Sequence, residues 1–83
     1  MNAVITFYIV LFRSVNQTMW ADKMLKEKGI PHKLVPVPRH ISADCGVCLR
    51  IPPEHSEEAR SFLAGIEGYV DIIPLKNTTL SLN

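Results

Sequence analysis

The chain has 83 residues, 47% of them hydrophobic, and its nine lysines and arginines against eight aspartates and glutamates leave a formal net charge of +1. That length supports one domain that buries about 60–65% of the surface its unfolded form exposes, so the core is thin. The charge balance gives no basis for a nucleic-acid or membrane partner: nucleic-acid binding wants a basic stripe with interleaved aromatics, and apart from Lys23, Lys26 and Lys28, which Asp22 and Glu27 largely offset, the basic residues are scattered.

The opening "MNAVITFYIVLFR" has an apolar run, but no basic residue precedes it and no small-residue cleavage site follows. It is also far shorter than the roughly 20 apolar residues that span a bilayer. A strand over residues 3–12, apolar on both faces as a central strand would be, is the better reading. The expected compartment is the reducing cytoplasm, where neighbouring cysteines are more often catalytic or metal-binding than structural.

"SVNQTMWADKMLKEKG" switches to helical period. Ser14 or Asn16 can cap its start; Ala21, Met24 and Leu25 share a face; Asp22/Lys26 and Lys23/Glu27 are i, i+4 pairs; and Gly29 suits the position after the last turn. "HKLVPV" reads as a short strand that Pro36 confines to an edge or cuts short. "PRHISADCG" is a polar loop, and "VCLRI" is a third strand bounded by Gly46 and Pro52-Pro53. A second helix opens near Pro53 and places Ala59, Phe62, Leu63 and Ile66 at core spacing before Gly65 and Gly68 end it. "YVDII" is a fourth strand, and "PLKNTTLSLN" is left without an element.

Strand, helix, strand, strand, helix, strand predicts a ferredoxin-like α+β sandwich, a four-stranded antiparallel sheet with both helices on one face. The expected domain covers residues 1–76, with 77–83 as a C-terminal tail. The other sheet face is expected to carry Val4, Tyr8, Val35 and Val37, an apolar surface that suggests a homodimer formed through it.

The chemistry concentrates in "PVPRHISADCGVCLR", residues 36–50. As residues alone, three readings fit. Cys45 and Cys48 form a C-x-x-C that could act as a dithiol, although such pairs work best at a helix N-terminus and this one runs from a loop into a strand. Cys45, Cys48 and His40 could serve a metal- or small-ligand-binding module without catalysis, although structural zinc usually takes four ligands. The third reading is a single activated thiol. Cys45 lies in a polar loop beside Gly46, whose missing side chain lets a ligand approach the backbone, with Arg39 and Arg50 flanking it and Ser42 nearby. Positive neighbours favour the nucleophilic thiolate, and arginine offers a planar donor fork for an anionic group; Asp44 works against this unless it points away. If Val47, Leu49 and Ile51 face the core, Cys48 and Arg50 face the other side, and Cys48 alone is best read as a small buried hydrophobe.

Leu25-Lys26-Glu27-Lys28-Gly29-Ile30, then Pro36-Val37-Pro38-Arg39, Ile41-Ser42 and Cys45-Gly46, followed by an apolar strand, resemble the selenium/sulfur carrier protein-like family over the chain up to residue 73. The resemblance implies a carrier that holds sulfur or selenium on a cysteine as a persulfide or perselenide and hands it to an acceptor protein after taking it from a donor. Mapped by motif position, Cys45 is the carrier thiol and Arg39 steadies the charged chalcogen. The backbone N–H groups of Gly46 and Val47 assist, with Ser42 and Arg50 as further ligand-binding residues. This reading calls for no cofactor and no resident metal. The sequence departs from the family pattern at Cys48, where a small residue is expected, so Cys48 is either a second thiol able to attack a persulfide on Cys45 or a filler in the strand.

Overall fold

A computed structural model describes residues 3–41 and 46–78, with side chains described for 6–41 and 46–75. The elements follow the order β1 (Ala3–Phe12), α1 (Val15–Lys28), β2 (Lys33–Pro36), β3 (Val47–Ile51), α2 (Ser56–Leu63) and β4 (Tyr69–Thr78), with a single 3-10 turn at Pro53–His55 ahead of α2. The strands form one antiparallel sheet in the order β2-β3-β1-β4. This is the ferredoxin-like arrangement. Among the described residues no helix is long and apolar enough to cross a membrane.

The run of Ile, Val and Phe in β1 suits the centre of the sheet, where it pairs with β3 through Tyr8–Val10 and with β4 along its whole length. Ser14 caps α1 by accepting from the Gln17 backbone N–H at 3.2 Å, while its hydroxyl donates to the Gln17 side chain at 3.1 Å, a variant of the capping box. Gly29 closes the helix, its N–H donating to the carbonyls of Leu25 and Lys26. Thr18, the buried polar residue of this helix, donates its hydroxyl to the Ser14 carbonyl at 3.0 Å.

One face of the sheet holds the main core. Val10 and Phe12 of β1 and Leu49 and Ile51 of β3 pack with Ala21 and Leu25 of α1 and Ala59 and Leu63 of α2, so both helices lie on the same side. Tyr8 packs against this cluster. It belongs to the helix side and not to the opposite face where the sequence pattern put it. The cause is that β1 is apolar on both sides, so its residues carry no alternation from which to read the phase of the pleat. Val35 and Val37 do lie on the opposite face, and the side chain of Val4 is outside the described set.

That opposite face is not bare. Ile9, Leu11 and Cys48 are fully buried there, with Val35, Val37, Ile41, Ile73 and Leu75 packed against them. Val37 and Ile41 come from the segment that leaves β2, which folds back over the sheet as a flap. The fourth strand also differs from expectation: it continues past Ile73 through Pro74 to Thr78, paired with β1. β4 is an edge strand with β1 as its partner, and edges are where a sheet tolerates a proline.

Candidate functional site

The β2–β3 connection carries most of the predicted site. Its neck is closed by the Val37 N–H donating to the Gly46 carbonyl at 3.1 Å. Pro38, Arg39, His40 and Ile41 form a β-turn in which the Ile41 N–H donates to the Pro38 carbonyl at 2.9 Å. Arg39 and His40 occupy the two central positions of that turn and are exposed, while Ile41 anchors its end on the sheet. Ser42, Asp44 and Cys45 lie outside the described residues. Gly46, next in the chain, has φ 76°, and no atom would crowd a Cβ there. Its requirement is therefore the left-handed backbone itself, which a side chain makes costly. The loop thus enters through a proline-shaped turn with an arginine at its apex and leaves through a glycine that reverses the chain into β3.

Cys48 and Arg50 face away from the helices, as strand alternation predicts, but their surroundings differ. Cys48 has no exposed surface; it sits under the flap, with Sγ 3.8 Å from the Pro36 carbonyl. It behaves as a small core residue of the second cluster. Arg50 lies two residues beyond Cys48 and three beyond Val47, where β3 begins, about 10 Å from that end at the usual strand rise. Its guanidinium carbon lies over the Phe7 ring, 4.3 Å from the ring centre. Of the residues expected to act together, the structure thus places Arg39 and Gly46 on one connection and sets Arg50 at the far end of β3. His40 sits at the turn apex while Cys48 is buried beneath the flap. Among the described residues no group of three or more histidines, cysteines or acids is arranged to hold a metal ion.

His32, just ahead of β2, has a largely buried side chain. Its side chain is 4% exposed, with Nε2 2.6 Å from Asp22 Oδ1 and Nδ1 2.8 Å from the Ile30 carbonyl. A carbonyl only accepts, so the bond to Ile30 is donated by Nδ1–H, and Nε2 faces the carboxylate. Asp22 is bound from the other side by Lys26 at 3.3 Å. Beside this pair opens a cleft of about 240 Å³ lined by Phe7, Pro31, His32, Lys33, Arg50 and Pro52. Sequence reasoning did not assemble it. The signal it needed was the register that sets Lys33 opposite Arg50, which a sequence with a loop of unknown geometry between β2 and β3 does not carry.

A family model described as "Putative Se/S carrier protein-like" matches residues 7–73, which include both strands flanking the connection and the whole of it. No curated protein and no solved structure matches the chain.

Proposed function

The chain belongs to the Se/S carrier protein-like family, and from that premise we propose that it carries sulfur or selenium on Cys45, as a persulfide or perselenide, between a donor and an acceptor protein. The observation that carries this reading is the family match across the entire Cys45-bearing connection. The exposed arginine at the turn apex and the left-handed glycine directly after Cys45 support it.

The transfer needs no net redox change. The Cys45 thiolate attacks the outer sulfur of a persulfide on the donor's cysteine; the bond between that sulfur and the donor cysteine breaks, and the donor leaves as a thiolate. Cys45 now bears the persulfide, and the same exchange run against an acceptor thiolate unloads it. A persulfide is largely anionic near neutral pH, so Arg39, a permanent cation with a planar donor fork, steadies it, and Ser42 adds a hydroxyl donor. A reducing cytoplasm keeps the thiol available between loadings. Cys48 takes no part while it remains buried under the flap.

The test is mass spectrometry of the full chain after incubation with a cysteine desulfurase and cysteine. The expected product is heavier by one sulfur, about 32 Da, lost on mild reduction and mapped to Cys45. A selenium donor is run in parallel. Cys45→Ala abolishes the adduct, Cys48→Ala retains it, and Arg39→Ala lowers its yield or lifetime. Absence of an adduct from either donor, or an adduct that requires Cys48, overturns the proposal. Stoichiometric zinc that is lost in Cys48→Ala would instead favour a binding module.

A further inference from the structure

The cleft at the Phe7 end of the open sheet face has a charge arrangement that the fold by itself does not explain. Lys33 and Arg50 are register partners on adjacent strands, so their side chains leave the same face directly opposite one another. Like charges so placed repel. Among the described residues neither is in an ion pair: the pairs present involve Lys26, His32 and His55. Asp22, which bonds the cleft-lining His32, is also paired with Lys26. The Arg50 guanidinium carbon lies 4.3 Å from the centre of the Phe7 ring. An arginine held over an aromatic ring still offers N–H donors to an anion.

The rest of the lining is of another kind. Phe7, Pro31 and Pro52 present apolar surface, and His32 turns a ring to the cleft while both its nitrogens are engaged elsewhere. Two facing cations at the edge of apolar walls describe an occupant with an anionic head and an apolar body. A cleft of about 240 Å³ is smaller than pockets for drug-sized ligands, which run from about 300 Å³ upward, so the occupant is small. A bare inorganic anion would leave the apolar walls in water. A second copy of the chain would bring the same positive charges to the contact.

We propose that this cleft binds a small organic carboxylate, its apolar group against Phe7, Pro31 and Pro52 and its carboxylate between Lys33 and Arg50. The guanidinium rim takes the carboxylate as a fork and Lys33 supplies the second charge, which removes the repulsion between the two cations. The site is distinct from the Cys45 connection, and its test involves no thiol chemistry, so its failure leaves the carrier reading intact.

The experiment is a titration of the isotope-labelled full chain, followed by amide NMR, with sodium phenylacetate, phenylacetamide and sodium phosphate as separate probes. Phenylacetate is expected to give saturable shifts at Phe7, His32, Lys33 and Arg50 with a dissociation constant of about 1 mM, in keeping with a ligand of this size. Phenylacetamide and phosphate each bind at least about tenfold more weakly, because each lacks one half of the match. Lys33→Gln and Arg50→Gln each weaken phenylacetate about tenfold. Lys33 is exposed on an edge strand, so its variant keeps the native spectrum and carries the test even if Arg50→Gln loses the stacked pair and unfolds. Shifts that do not saturate, or that fall on other residues, overturn the proposal. So do equal affinity for phenylacetamide, phosphate binding as tight as phenylacetate, and a Lys33→Gln variant that binds unchanged.

Discussion

Gly68 shows how a single residue links two elements. Its φ is 92°, its carbonyl accepts from the Arg13 N–H at 2.8 Å, and a Cβ built on it would run into the side-chain amide of Gln17. Gln17 in turn belongs to the cap that starts α1. An alanine there meets two costs, an unfavourable backbone conformation and displacement of the capping glutamine, so Gly68→Ala is expected to lose about 1–3 kcal/mol. Gly65, three residues earlier, is the control: its φ is not positive, and a Cβ would meet only the Phe62 carbonyl at 3.8 Å. Gly65→Ala is expected to be neutral or slightly stabilising, since it restricts the unfolded chain at little native cost. Urea midpoints of the two variants check the difference, and equal losses at both positions would show that neither the φ nor Gln17 matters at Gly68.

At the scale of elements, His32 ties the start of β2 to α1 by bonding Asp22 on one side and the Ile30 carbonyl on the other. Removing the ring leaves a carboxylate that is 15% exposed with Lys26 alone, and opens the wall of the cleft beside it. His32→Ala is therefore expected to cost about 1.5–3 kcal/mol, the range for a hydrogen bond to a charged group, measured as a lowered denaturation midpoint. The boundaries of α1 were legible because capping is local chemistry: Gly29 marks the end by residue type, and the start fell on Ser14, one of the two candidate caps with Asn16. So was β3, fenced by Gly46 and Pro52; Pro36 left β2 either at an edge or cut short, and the strand is both, an edge strand that ends at Pro36. What escaped was tertiary. The pleat phase of β1 is fixed by which residues reach the helices, and Tyr8 gives no local sign of that. Continuation of β4 through Pro74 depends on the partner strand, because a ten-residue β1 offers a ladder along its whole length.

At the scale of the whole molecule, the sheet face away from the helices is divided in two. The flap from 37 to 41 seals Ile9, Leu11 and Cys48 at one end, and the other end stays open with Phe7, Lys33 and Arg50 around a cleft. That a connection runs between β2 and β3 was legible because its residues are consecutive, with Pro38 and Gly46 as turn formers at its two ends. Its relation to Arg50 was not, because the separation depends on the direction in which β3 carries the chain away. The same division makes the two cysteines unequal. Cys48 lies in a cluster whose cover must lift, or whose domain must unfold, before a reagent reaches it, and such opening is limited by the stability of the unit concerned. With Cys45 replaced by serine, Cys48 is expected to react with a thiol reagent at least about 1,000-fold more slowly in the native protein than in denaturant, a factor equal to about 4 kcal/mol of protection. A truncating variant at the flap, Ile41→Ala, should raise the native rate, because Ile41 packs against the cluster that holds Cys48. If Cys48 in the Cys45→Ser protein reacts at the denatured rate without denaturant, the flap does not hold it, and Cys48 returns as a working second thiol. If it is protected and Ile41→Ala releases it, Cys48 is reachable only through the flap, and the persulfide proposed for Cys45 is out of its reach while the flap stays closed.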